Sequence, residues 1–299
     1  MGLSKTARNA RDAQAPSHAA EGAPPAMTRV RPPAVAGLFY PDDPTLLARA
    51  VARYLADAET DDGRMGSAAE GGAIPQAVIA PHAGYVYSGP IAAHAYAPLR
   101  PLKGKIERAV IVGPTHRVAI RGLALPTVDA FATPLGAVPI DAAARARVAS
   151  LPQIMLADEP HRLEHALETQ LPFLLAVLGP VPILPMVAGE ATGAEVARAI
   201  ETASDGDASR TLVVISSDLS HYHDYRTAQR MDRATSDAIE ALDARAIGWD
   251  QACGRVPIAG MIEIARARGL RAKTRDLRNS GDTAGDRNRV VGYGAYVFA

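Results

Sequence analysis

Three short stretches decide how this chain is read. They are Ala77-Val78-Ile79-Ala80 running into Pro81-His82-Ala83-Gly84-Tyr85, Ala109-Val110-Ile111-Val112 running into Gly113-Pro114-Thr115-His116, and Leu212-Val213-Val214-Ile215 running into Ser216-Ser217-Asp218-Leu219-Ser220-His221. Each opens as an unbroken run of small and β-branched apolar residues, the pattern of a strand buried on both faces and hence of a parallel sheet. Each closes in a turn that carries a histidine. Open α/β sheets gather their ligands at the carboxyl ends of such strands. Three histidines are therefore expected where this fold class places its chemistry, and converging imidazoles point to a metal.

Outward from these strands, helical and extended segments alternate. Ordered structure is expected from Arg31, and Asp42-Asp43-Pro44 supplies a cap and an early helical proline for a helix to about Ala56. Glu59 to Gly72 reads as a polar, glycine-rich loop, and Ser88-Gly89-Pro90 as the opening of a helix over Ile91 to Tyr96. Recurrent prolines and glycines between Arg121 and Ile140 suggest short strands with tight connections. A helix starts at Asp141, and a longer one is expected over Leu163 to Leu178, interrupted by Pro172. Pro182 to Val187 is a further buried strand, followed by helices over Ala194–Ala203, Thr227–Leu242 and Pro257–Arg268 and a closing strand over Arg289–Phe298. This alternation predicts a single α/β domain over residues 29–299, with a central mostly parallel or mixed sheet flanked by helices.

Composition bounds the function. Of the 299 residues, 48% are apolar and 21% charged, as expected of a globular chain. Lys plus Arg balances Asp plus Glu at 32 each, so no basic surplus argues for nucleic acid. No apolar stretch is long enough to span a membrane. The lone Cys253 excludes an intramolecular disulfide and fits a reducing, cytoplasmic compartment. The first 28 residues, rich in Ala, Pro, Arg and Asp, read as a disordered tail without a secretory core, and Met27 is an alternative start. Met1-Gly2-Leu3-Ser4-Lys5-Thr6 matches a myristoylation pattern by chance in an Ala/Arg-rich, bacterial-looking composition.

His82 and His116 follow their strands in Pro/Gly turns at equivalent positions, which favours a shared metal site of iron, zinc or copper over two unrelated capping residues. The third ligand stays open. Cys253 lies just ahead of a helix whose dipole is expected to lower the thiol pKa and favour the metal-binding thiolate. Asp218 and Glu168 offer carboxylates, and a two-histidine, one-carboxylate face would suit non-haem iron chemistry. His165 and Glu168, spaced i and i+3 within Glu164-His165-Ala166-Leu167-Glu168, are expected on one helix face as ligands, orienting groups or surface residues. Asp218 and His221 share a loop in which the carboxylate would fix the imidazole as a proton shuttle. Tyr85 and Tyr87 are candidates to line the cleft. His161 reads as exposed, His94 and His223 as structural, and His18 as part of the tail. No phosphate-binding G-x-x-x-x-G-K loop, G-x-G-x-x-G turn or G-x-S-x-G elbow is present, which disfavours nucleotide and serine-hydrolase chemistry.

The chain carries a set of ordered motifs: Pro33-Ala34-Val35-Ala36-Gly37-Leu38-Phe39-Tyr40-Pro41, Pro81-His82-Ala83-Gly84-Tyr85-Val86-Tyr87-Ser88-Gly89, Gly113-Pro114-Thr115-His116, Glu164 through Phe173, Ser216 through His221, Cys253-Gly254-Arg255, Asn279-Ser280-Gly281-Asp282 and Arg289-Val290-Val291-Gly292-Tyr293. Together these motifs resemble the Memo family, protein B of the AmmeMemoRadiSam system. The resemblance implies a fold similar to class III extradiol dioxygenases. It also implies a metal, iron or copper with zinc as a substitute, held by His82, His116 and Cys253, with Asp218 and the acid/base residue His221 in the same cleft. A thiolate in place of a glutamate ligand is softer and oxidisable, which suits redox chemistry better than ring cleavage. Three functions are expected to compete: a metal-dependent redox enzyme acting on a small molecule, an extradiol-type dioxygenase, and a non-catalytic scaffold for a peptide or partner protein. The family name further implies a link to AMMECR1-domain and radical SAM proteins.

Overall fold

A computed structural model of the protein describes residues 1–2, 29–64 and 74–299. The tail expected over residues 1–28 and the second half of the loop expected over 59–72 lie outside the described residues, apart from Met1 and Gly2. The chain runs β1 (Val30–Arg31), α1 (Pro44–Arg64), β2 (Ala77–Ala80), α2 (Tyr85–Tyr96), β3 (Arg108–Pro114), β4 (Leu123–Leu125), β5 (Ala130–Thr133) and β6 (Gly136–Pro139). It continues through α3 (Ala142–Val148), β7 (Ile154–Leu156), α4 (Glu159–Arg162), α5 (Leu171–Leu178), β8 (Ile183–Ala188) and α6 (Gly193–Ser204). The last third comprises β9 (Thr211–Ser216), β10 (His221–His223), α7 (Tyr225–Glu240), α8 (Arg255–Arg268), β11 (Ala272–Asn279) and β12 (Val290–Phe298).

The β-branched runs pair in parallel, in the order β2-β9-β3-β8. β12 pairs antiparallel to β2 on one side and carries β10 and β11, while β4 and β7 extend the sheet on the other, giving nine strands. β1, β5 and β6 form a separate three-stranded sheet. The expected single α/β domain with a mixed sheet is what the chain forms. Side chains alternate across the pleat: Val78, Ile111 and Val214 meet Leu47, Val51, Tyr96 and Phe173 from α1, α2 and α5. Ile79, Val110, Val112 and Ile215 meet Val196, Ile200, Ile258 and Met261 from α6 and α8. Burial on both faces is why these strands carry no polar alternation. No helix among the described residues is long and apolar enough to cross a membrane.

Three segments depart from the sequence reading. α1 extends to Arg64, so Glu59 to Arg64 are helical rather than loop. α2 begins at Tyr85 and encloses Ser88-Gly89-Pro90, because the chain leaves the His82 turn already helical, with the Ser88 amide on the Gly84 carbonyl at 3.0 Å. Gly89 is required there, since a Cβ would stand 2.7 Å from the Tyr54 ring. The helix expected over 163–178 is instead a non-helical stretch over 163–167, a 3-10 segment at Glu168–Gln170 and then α5, with the short α4 lying ahead of it. Pro172 sits in the first turn of α5, where its missing N–H costs nothing, so it starts this helix rather than interrupting one.

Without that helix, His165 and Glu168 do not share a face. Glu168 does not line the cleft but ties β1 to the core: it accepts from the amides of Ala34 and Val35 at 2.7 and 3.0 Å, from Tyr40 Oη at 2.5 Å and from Arg31 at 2.7 Å. Arg31 also donates to the carbonyls of His161 and Glu164. Both members of the pair are buried, and every carboxylate oxygen is matched by a donor. Another buried carboxylate, Asp232 on α7, is only half satisfied. Oδ1 accepts from the Ser220 amide at 3.0 Å, and Oδ2 is buried without a partner among the described residues.

These two carboxylates give opposite expectations. Removing the charge in Glu168→Gln leaves Arg31 buried and uncompensated, at a cost of about 3–5 kcal/mol in chemical denaturation. Burial pushes the Asp232 pKa up from 3.8 to about 6, so the native state keeps a proton that the unfolded chain has lost. The stability this gives is present at low pH and is lost as pH rises through 6. Asp232→Asn is expected to remove that fall and to be more stable than wild type at pH 8 by on the order of 2 kcal/mol, read from urea denaturation at both ends of the window.

Candidate metal centre

β9 inserts between β2 and β3, so the turns that follow these three strands stand side by side at one edge of the sheet. They open onto a cleft of about 660 Å3 lined by His82, His116, His165, Asp218, His221 and Tyr87, among others. One donor nitrogen from each of His82, His116 and His165 falls within a cluster whose atoms lie within 4.8 Å of one another. The His116 and His165 rings stack at 4.7 Å, and His82 meets both edge-on at 5.2 and 5.3 Å.

The hydrogen bonds behind the rings decide which nitrogens face the cleft. The Ser216 hydroxyl has one proton, which goes to the Ala166 carbonyl at 2.6 Å. Its oxygen accepts from Gln170 Nε2 at 2.8 Å, and His82 Nδ1, also at 2.8 Å, is left to act as a donor. Gln170 is itself oriented by Tyr96 Oη, which donates to its Oε1 at 2.7 Å. His82 is therefore the Nδ1–H tautomer, with its lone pair on Nε2. For His116 the partner is Glu164, which accepts from its Nδ1 at 2.9 Å and from its backbone amide at 2.6 Å. Burial opposes the Glu164 charge, but the His116 and Ala166 hydrogen bonds outweigh it and hold the pKa at about 2. An ionised carboxylate only accepts, so His116 also presents Nε2 to the cleft.

His165 is the third imidazole. Its Nδ1 is buried, lies 3.4 Å from Glu164 Oε1 without the alignment of a hydrogen bond, and has no other hydrogen-bond partner among the described residues. Burial first, and neighbouring imidazoles second, lower the pKa of His82 to about 3 and of His165 to about 4. Neutral rings with exposed lone pairs are what a cation requires, and one orphaned buried nitrogen among them fits the same use. The residues fit a transition metal with imidazole ligands.

Cys253 is not part of this trio, but its Sγ lies 3.4 Å from His82 Nε2. The loop ahead of α8 is drawn onto the end of β9 because Gly254 lacks a side chain: a Cβ would stand 2.6 Å from that of Ser217. The Asp218 amide points at Sγ at 3.3 Å, and the Cys253 amide donates to the Asp218 carbonyl at 3.3 Å. The expected lowering of the thiol pKa is reversed. Burial, reinforced by the charge of Asp218, pushes it up to about 12 and outweighs the hydrogen bonds from the Asp218 and Gly254 amides and from Ser217.

Asp218 accepts from the His82 amide at 2.7 Å, and its carboxyl pKa is raised by burial. No hydrogen bond joins it to His221 among the described residues; His221 lines the cleft from β10. Tyr87 lines the cleft, whereas Tyr85 is buried beneath it and donates to the Thr169 carbonyl at 2.6 Å. His161, expected to be exposed, is buried and bonds the Ala124 carbonyl at 3.0 Å. Sequence reasoning passed over Ser216, Gln170 and Glu164, the residues that set the tautomers. Glu164 had a signal, lying next to His165, but nothing local pairs it with His116.

Residues 31–297 match the family described as Memo-like protein. A MEMO1 family protein of Methanopyrus kandleri is 36% identical over 280 residues, covering 90% of this chain and 98% of that one. MEMO1 family proteins of Archaeoglobus fulgidus and Aquifex aeolicus are 36% and 34% identical over 283 residues each, and each is covered to 99%. An uncharacterized protein, JW3007, from Escherichia coli K12 superposes with a TM-score of 0.48 at 12% identity, over 75% of this chain and 99% of that one. Identity at this level over nearly the full length of its relatives makes the chain a member of the Memo-like family.

Proposed function

We propose that the cleft holds a single redox-active metal, iron or copper with zinc as a substitute, and that the protein acts on a small molecule bound beside it. The observation that supports this is the convergence of three imidazoles, two with their Nε2 lone pairs turned to the cleft by Ser216 and Glu164. His82 and His116 are the first two ligands in this reading. Cys253 is the third that the family resemblance implies, and His165 is the third that the geometry favours. Iron or copper so held would supply one-electron redox chemistry.

The remaining roles belong to the chain itself. Asp218 fixes the backbone of the His82 turn, Glu164 holds the His116 ring, and His221 moves protons on the cleft wall. Of the two carboxylates considered as ligands for a ring-cleaving dioxygenase, Glu168 is consumed by Arg31 and Tyr40, and Asp218 is engaged by the His82 amide, which favours the redox reading.

Elemental analysis of protein purified without a metal-binding tag tests the proposal. Roughly one iron or copper per chain is expected, lost in His116→Ala. Loss in Cys253→Ser makes the thiolate the third ligand, whereas retention there with loss in His165→Ala makes the centre all-histidine. Wild-type protein that binds no added metal would sink the reading and leave the scaffold for a peptide or partner. In Glu164→Gln the ring of His116 loses its ionised acceptor, and metal affinity is expected to fall about 10–100-fold in a chelator competition.

A further inference from the structure

The mouth of the cleft carries groups that the metal reading leaves unused. Tyr222 has φ +63, a left-handed conformation rare for an aromatic residue. It sits where the pairing of β10 with β12 slips, between His221 opposite Val291 and His223 opposite Val290. A bulge of this kind re-aims a side chain, and here it leaves the ring 64% exposed on the cleft wall. The Arg289 guanidinium lies 5.1 Å from the centre of that ring. Stacking fixes the plane of a guanidinium while leaving its N–H fork available.

Arg289 and Arg117 both line the cleft, and neither has a carboxylate partner among the described residues. Arg31, Arg108, Arg145 and Arg268 each have one. Asp286, the exposed carboxylate of the same rim, already accepts from the Asn288 amide at 2.6 Å. The same lining presents apolar surface, with Leu38 80% and Tyr87 38% exposed, alongside the polar Asp218 and Ser280. A volume of about 660 Å3 suits a small molecule.

From this arrangement we infer that the cleft selects a small molecule with a flat apolar body and a terminal oxyanion, a carboxylate or a phosphate, held at the mouth by Arg289 and Arg117. The body lies against Tyr222, Tyr87 and Leu38 and directs the opposite end of the molecule toward His82, His116 and His165. This rests on the cleft being the substrate site of the proposed function. An unpartnered guanidinium fork is the group that recognises a planar oxyanion by two parallel hydrogen bonds.

Binding of three probes to the full chain tests it: benzoate, its neutral isostere benzamide, and inorganic phosphate, each followed by calorimetry or ligand-observed NMR with and without chelation. Benzoate is expected to bind at least about tenfold more tightly than either other probe, and Arg289→Gln to lose about tenfold in benzoate affinity with metal content unchanged. Equal binding of benzamide overturns the oxyanion site, equal binding of inorganic phosphate overturns the apolar body, and no saturable binding of benzoate overturns both. Benzoate binding that survives Arg289→Gln and Arg117→Gln but vanishes on chelation makes the oxyanion a metal ligand, which overturns this inference and spares the metal centre. Arginine-dependent binding to protein that holds no metal does the reverse.

Discussion

A single hydroxyl proton governs the edge of the sheet where the cleft lies. Ser216 ends the central strand β9 and spends its proton on the Ala166 carbonyl, so every other group that reaches its oxygen must donate. Gln170 does so from below and His82 from the side. The hydroxyl thereby couples the strand end to the segment that carries Glu164, His165 and Glu168, and it sets the direction in which His82 is basic. A buried network in which each member has one permitted role is rigid, because any rotation leaves a polar group unpaired in a low dielectric.

The same segment shows how little sequence distance says about role once the backbone is irregular. Glu164 and Glu168 are four residues apart, which on a helix would stack them on one face. The turn between them and the 3-10 segment that opens at Glu168 instead send Glu164 to His116 and Glu168 to Arg31 and the β1 region. One carboxylate orients an imidazole and the other closes the fold. Their neighbour His165 is left with a buried nitrogen that has no hydrogen-bond partner among the described residues.

The parallel core, the strand-end position of His82, His116 and Asp218, and the caps at Asp43 and Asp141 were all legible, because each follows from local pattern: β-branched runs, small-residue turns, a carboxylate ahead of a helix. The third imidazole was harder to see. The spacing of His165 and Glu168 suggests a helix face and Pro172 an interruption, whereas the proline begins a helix and residues 163–167 ahead of it are not helical. The thiol was misjudged for a different reason. A helix terminus acts locally and can be read from sequence, but burial against Asp218 is a tertiary effect, and it dominates. The internal partners, Ser216 to His82 and Glu164 to His116, span 134 and 48 residues and have no local signature.

β9 enters the sheet after more than half of the chain has been laid down, and only then do the ends of β2 and β3 acquire a common neighbour. The cleft therefore has no precursor in any fragment of the chain. A nascent protein that has made only its first two core strands exposes two histidines that have not yet met. Contacts of such long sequence separation form late, after their loop-closure cost has been met. A ligand that required the finished cleft would bind the native state alone and stabilise it by an amount that grows with the logarithm of its concentration. The supply of such a ligand would then raise the share of the protein that stays folded, independently of any turnover.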